Sequence, residues 1–155
     1  MSISYNYSLT ADQFNSIRAA VGFRQIHPEE AAAEIKGSNF VVAAHNRENA
    51  VGMALLLWNG GGGAHLSMIV IPEYQKQGIE EEMINRVFDF LRKKLKPGFG
   101  IQIDVRAFEN QSEIYEQLGF KISTIEQRGI PMHICLTDQI EITDKMFKQM
   151  EYKEK

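Results

Sequence analysis

Ile69-Val70-Ile71-Pro72-Glu73-Tyr74-Gln75-Lys76-Gln77-Gly78-Ile79 is the stretch on which the fold of this chain turns. It follows His65 to Ser67 and Met68, so the run from His65 to Ile71 is nearly continuous in apolar residues and ends at a proline. Such a run is how a central strand buried on both faces reads. Ile79, Met83, Ile84, Val87, Phe88, Leu91 and Leu95 then recur at helical spacing until Pro97-Gly98 stops them, which predicts the longest helix of the chain. A buried strand thus passes through a short polar turn straight into a helix. The first four N–H groups of a helix lack internal partners and its dipole adds partial positive charge, so this turn is suited to a phosphate or pyrophosphate. Gly78 lets a ligand come close to the backbone. Any strand-turn-helix unit shares these features, and on them alone an anion site and a plain connection both stand.

Upstream, Ile3, Tyr5 and Tyr7 alternate with polar residues as in a half-buried strand, and Thr10-Ala11-Asp12-Gln13 offers a capping box for a helix carrying Phe14, Ile17 and Val21. His27-Pro28-Glu29-Glu30 opens a short second helix, with Gly37 suited to the residue just past its end. Asn39 to His45 and Ala50 to Trp58 flank Asn46-Arg47-Glu48-Asn49 and read as a hairpin, after which Gly60 to Gly63 turn the chain. Downstream, Ile101, Ile103 and Val105 make a strand and Gln111 to Leu118 a short helix ended by Gly119. Phe120 to Ile125 and Met132 to Leu136 make two more strands. Thr143 then caps a final helix with Met146, Phe147 and Met150 on one face, packed against the domain or mediating association. This order predicts a mixed α/β (α+β) layer fold, helices against one sheet.

Composition narrows the functional classes. The chain has 155 residues, 44% hydrophobic and 24% charged, which suits one domain that needs neither disulfides nor structural metal. Cys135 is the single cysteine, so a disulfide framework is excluded, a reducing cytoplasm fits, and a small core residue is its simplest reading. Seventeen basic residues face 20 acidic ones without a block of like charge, which argues against nucleic acid and anionic membranes as partners. The run from Val51 to Trp58 is less than half a membrane span, and Met1 to Thr10 has neither a basic start nor an apolar core, so a cytoplasmic location is expected. His27, His45, His65 and His133 show no paired spacing, so no metal is expected. Gly60 to Gly63 is a hairpin turn rather than a phosphate loop, since no Gly-Lys-Ser/Thr follows.

Two motifs carry a family resemblance. Pro72-Glu73-Tyr74-Gln75-Lys76-Gln77-Gly78-Ile79 resembles the acetyl-CoA signature of the GCN5-related N-acetyltransferases (GNAT), whose core is Gln/Arg-x-x-Gly-x-Gly/Ala after a strand ending in Pro. Ile114-Tyr115-Glu116-Gln117-Leu118-Gly119-Phe120 is similar to the family's Phe/Leu-Tyr-Glu-x-Leu-Gly-Phe, in the right order downstream. Looser similarity runs from Ile17-Arg18 through Val21-Gly22-Phe23, Val51-Gly52-Met53 and the Gly60 region to Met132.

The resemblance implies a twisted, mostly antiparallel sheet of about seven strands, splayed between its two central strands and flanked by about four helices. Residues 1–137 would form the acetyltransferase-like domain, with a polar, helical 138–155 belonging to it. Backbone groups of Ile69, Val70 and Ile71 would pair with pantetheine, and amides of Gln75, Lys76, Gln77, Gly78, Ile79 and Glu80 would cradle the pyrophosphate. Asn110 would touch the cofactor chain. The co-substrate would be acetyl-CoA and the acceptor the amine of a small molecule or peptide, attacked directly. Tyr115 would protonate or hydrogen-bond the leaving thiolate; its plain alternative is a core aromatic at helical spacing. A homodimer is the expected assembly, and Glu73, Glu109 and Glu113 near the inferred cleft would favour a cationic acceptor.

Two departures bear on that chemistry. Glu80 stands where the family has Gly or Ala, with Glu81 and Glu82 behind it. Acids in a first turn stabilise a helix by about 0.3–1 kcal/mol, but one carboxylate about 5 Å from one phosphate charge costs roughly 3 kcal/mol at an effective dielectric near 20. Ser67 stands where relatives often carry Asp, and a serine cannot take the amine proton. Glu73, Glu109, His65 or a water on backbone carbonyls would have to replace it. These departures leave a second reading open, a catalytically weak member kept as a binding or dimerisation module.

Overall fold

The computed structural model describes residues 2–108, 111–134, 136 and 138. Five strands form one sheet in the order of the sequence: β1 (Ile3–Asn6), β2 (Phe40–Asn46), β3 (Asn49–Trp58), β4 (Gly63–Val70) and β5 (Gln102–Val105). The pairs are antiparallel except β4 with β5, which are parallel because a helical crossover joins them. The mixed α/β class is as expected. The β2–β3 hairpin turns at Arg47, whose φ of 57° is left-handed, after a register shift between Ala44 and His45.

Continuous apolar runs belong to strands covered on both faces, and alternation sends neighbouring side chains to opposite cores. Val42, Ala44, Ala54, Leu56, Leu66, Met68 and Val70 meet Ile79, Met83, Ile84, Val87 and Leu91 of α3 (Ile79–Arg92). Val41, Ala43, Met53, Leu55 and Ile69 face the other way, onto Phe14 and Ile17 of α1 (Ala11–Ala20) and Ala31 of α2 (Pro28–Gly37). Burying one such large apolar side chain contributes about 1.5–3 kcal/mol, so α3, with five of them on one stripe, is held by packing rather than by propensity.

The caps read from sequence form. Thr10 Oγ1 accepts the Gln13 N–H at 3.1 Å and Gln13 Oε1 accepts the Thr10 N–H at 3.0 Å. His27 Nδ1 caps α2 by accepting the Glu29 N–H at 3.1 Å, and Gly37 is that helix's last residue rather than the one beyond it. α3 stops at Arg92, short of Leu95.

The expected strands at 120–125 and 132–136 are not found: the described residues form five strands, not about seven, and five helices in place of four. After α4 (Ser112–Gln117), Thr124 Oγ1 accepts the Gln127 N–H at 3.3 Å and Gln127 Oε1 accepts the Thr124 N–H at 3.4 Å. That second capping box starts α5 (Ile125–Arg128), and Arg128 reaches back to both oxygens of Asp104 at 2.7 and 2.8 Å. Ile122 is 74% and Met132 88% exposed. Local capping won there, because an apolar alternation makes a strand only where a partner strand meets it. Cys135 and the expected helix after Thr143 lie outside the described residues.

Candidate functional site

β4 pairs with β3 along its whole length to Val70, but with β5 only from Gly63 to Leu66. Beyond Leu66 the sheet forks, and among the described residues Ser67 to Val70 have a ladder on one side only. The chain beyond Val105 leaves β4, and Phe108 meets Phe23 edge-on at 5.2 Å, with the Arg18 guanidinium 5.3 Å over the Phe23 ring. Nothing in the sequence signalled this aromatic contact, which joins the loop after β5 to the loop after α1.

The backbone trio expected to meet pantetheine lies at the fork. Ile71 donates its N–H to the Val51 carbonyl at 2.9 Å, and the Val70 carbonyl accepts the Gln75 side-chain amide at 2.8 Å. Ile69 and Val70 end β4, and Pro72–Tyr74 then make a single 3-10 turn. Its Tyr74 hydroxyl accepts from Asn46 Nδ2 at 2.7 Å, tying the turn to the β2–β3 hairpin.

The loop into α3 holds two left-handed residues, Lys76 at φ 60° and Gly78 at φ 90°. Gly78 is the N-cap, no side chain caps the helix, and a Cβ at Gly78 would meet nothing within 4 Å. The 14-residue helix thus begins without a side-chain cap, and the space over Gly78 is open. Of the six amides expected to cradle an anion, two are engaged internally: Gln75 donates to the Pro72 carbonyl at 3.3 Å, and Lys76 to Glu80 Oε1 at 3.0 Å. Gln77, Gly78, Ile79 and Glu80 supply the amides at the open end, and the Gln77 side chain folds back onto the Glu73 carbonyl at 2.9 Å.

The three acids behave differently. Glu82 points outward and pairs with Arg86 at 2.8 Å, while Arg86 also donates to the Tyr7 hydroxyl and stacks 4.7 Å over Tyr5. Glu80 points inward and is only 4% exposed, with Oε2 buried and without a hydrogen-bond partner among the described residues. Glu81 also keeps one buried oxygen without a hydrogen-bond partner among the described residues.

Tyr115 is 3% exposed and meets Phe120 edge-on at 5.3 Å. Burial first, and the nearby Glu80 carboxylate second, push its phenol up to about 12, so it is a protonated donor throughout the neutral range. Tyr115 shares a core cluster with Val70 of β4 and Ile79 of α3, and the Glu80 carboxylate acts on its phenol. The candidate bases are less gathered: His65 lies on the paired part of β4 opposite Asp104, Glu73 is exposed in the 3-10 turn, and Ser67 is exposed at the fork. Glu109 and Asn110 lie outside the described residues. A groove of about 550 Å³ opens instead at the outer flank of β5, among Phe88, Ile103, Phe120 and Arg128, and no residue of the α3 loop lines it. Among the described residues no cluster of three His, Cys, Asp or Glu could hold a metal, and no helix is long and apolar enough to cross a membrane.

A family profile described as an acetyltransferase (GNAT) domain matches residues 9–137. The chain belongs to the GNAT acetyltransferases. Solved GNAT-like structures agree in fold. A probable acetyltransferase from meticillin-resistant Staphylococcus aureus superposes with a TM-score of 0.75 at 16% identity, covering 86% of this chain and 100% of its own. A GNAT-family acetyltransferase from Streptococcus pneumoniae gives 0.65 at 18%, covering 89% and 98%. N-acetylglutamate synthase from Neisseria gonorrhoeae, complexed with coenzyme A and N-acetyl-glutamate, gives 0.59 at 18% and covers 82% of this chain and 30% of its own. No protein of curated function matches the chain. The GNAT assignment makes acetyl transfer the activity class against which the fork and the loop are to be understood.

Proposed function

We propose that this GNAT chain is an N-acetyltransferase that moves an acetyl group from acetyl-CoA to the primary amine of a small molecule or peptide, by direct attack in a ternary complex. The observation that carries the reading is the uncapped amide end of α3 at the fork in the sheet. The amides from Gln77 to Glu80 meet the pyrophosphate with the helix dipole behind them. Of the backbone groups of Ile69, Val70 and Ile71, those not already engaged by Val51, Tyr74 and the Gln75 side chain align the pantetheine arm. Positioning two reactants in the fork supplies most of the rate advantage, since attack becomes effectively unimolecular. Tyr115 gives its proton to the sulfur as the C–S bond breaks. The amine proton leaves to Glu73, Glu109, His65 or a water held by carbonyls, and Ser67 takes no part in that step.

Adding acetyl-CoA at 100 times its dissociation constant should stabilise the protein by about 2.7 kcal/mol, a rise of roughly 5–10 °C in Tm at this size. A screen of amines for free-thiol release then identifies the acceptor. No shift at millimolar acetyl-CoA together with no thiol release would exclude the enzyme. It would favour a GNAT fold kept as a binding or dimerisation module, the reading supported by the carboxylate of Glu80 inside the loop.

A further inference from the structure

We propose that Glu80 is an internal competitor for the phosphate loop and sets which donor the site prefers. This rests on the acetyl-transfer reading for the donor's identity, but the competition itself concerns only the loop and an anion. The Glu80 carboxylate accepts the Lys76 N–H at 3.0 Å, the kind of bond that a phosphate oxygen makes with such a loop. It is 4% exposed, and its second oxygen is buried without a partner among the described residues. The side chain lies on the core-facing stripe of α3 beside Ile79, Met83 and Ile84, so it cannot swing into solvent as Glu82 does. Its negative charge therefore stays beneath the loop when an anion arrives, and the arriving phosphate meets both a repulsion and an amide already in use.

The cost falls on the phosphates and not on the acyl arm. A diphosphate-bearing coenzyme is weakened, whereas an uncharged acyl-pantetheine is not, and the chain is shifted toward thioester donors with little phosphate charge. The simplest alternative is that Glu80 only braces the left-handed Lys76. Glu80→Gln separates the two, because glutamine keeps an oxygen for the Lys76 N–H while losing the charge.

Calorimetric titration of acetyl-CoA, S-acetylpantetheine and inorganic pyrophosphate into the natural protein, Glu80→Gln and Glu80→Ala tests this. Glu80→Gln should bind acetyl-CoA and pyrophosphate about ten- to a hundredfold more tightly, with S-acetylpantetheine changed by less than about twofold. The gain should shrink at high salt. Equal acetyl-CoA affinity in Glu80→Gln and the natural protein overturns the proposal, as does an equal gain for S-acetylpantetheine. Loss of affinity in Glu80→Ala with none gained in Glu80→Gln overturns it too and leaves a brace. If Glu80→Gln gains pyrophosphate affinity while no amine releases thiol with either protein, the competitor stands and acetyl transfer falls. If the natural protein turns over but Glu80→Gln binds no better, the reverse holds.

Discussion

Gly78→Val should weaken acetyl-CoA binding by at least about a hundredfold, the largest loss expected from any single change at this site. Gly78 sits at φ 90° and ψ −3° as the N-cap of α3, a left-handed conformation that disfavours side chains and most of all β-branched ones. Strain of about 1–2 kcal/mol in the free protein follows, or roughly 2–8 °C in Tm. The larger effect is on the ligand. A Cβ at this position meets nothing within 4 Å, so the side chain would project into the space through which, on the proposed function, the pyrophosphate approaches. Gly78→Asn distinguishes strain from obstruction, because asparagine tolerates the left-handed region while still placing atoms over the amides. Calorimetry should show both variants losing acetyl-CoA, and melting curves should show only the valine variant clearly destabilised. Undiminished affinity in Gly78→Val would remove the loop as the anion cradle.

The second large effect concerns turnover. Tyr115→Phe should lower kcat on the order of a hundredfold and leave the dissociation constant of acetyl-CoA nearly unchanged, since in the proposed mechanism the hydroxyl acts when charge develops on sulfur and the ring packs on Phe120 in either protein. The pH dependence of stability supplies an independent readout. The phenol is raised by burial, then by Glu80, to about 12 in the folded protein, above its ordinary 10. The folded state thus holds this proton after the unfolded state has lost it. Its stabilising contribution is complete below pH 10 and disappears as pH rises toward 12, so stability falls across that window. Tyr115→Phe should flatten that part of the curve. A flattened curve with unchanged kcat would make Tyr115 a core aromatic and nothing more.

What could be read from the sequence followed the strength of local rules. Pro72 and Gly78 bracket the loop because proline ends a ladder and glycine takes a positive φ, so the strand-turn-helix unit was legible residue by residue. Thr10 and Pro28 placed two helix starts for similar reasons. The fork was legible only through the family resemblance, since nothing in Gly63 to Val70 says that β5 accompanies only its first half. The alternation of Met132, Ile134 and Leu136 reads as a strand because period two records which faces differ, not whether a neighbour is present. The Thr124–Gln127 capping box repeats the chemistry of Thr10–Gln13 and is the local signal that favours a helix over a strand there. The inward turn of Glu80 depended on helix phase: position 80 falls on the stripe of 79, 83, 84, 87 and 91, whereas 82 does not.

The loop proposed to hold the phosphates is tethered at Tyr74, Gln75 and Gln77. Gln75 is fastened to the Val70 carbonyl, Gln77 to the Glu73 carbonyl, and Tyr74 to Asn46 of the neighbouring hairpin. Ordering a free backbone costs about 1–2 kcal/mol per residue at room temperature, and in this loop that entropy is lost when the chain folds rather than when a donor arrives. The loop is preorganised, so on the proposed function little of a donor's binding energy would be consumed in shaping it. Differences in affinity among donors then report charge and contact almost directly.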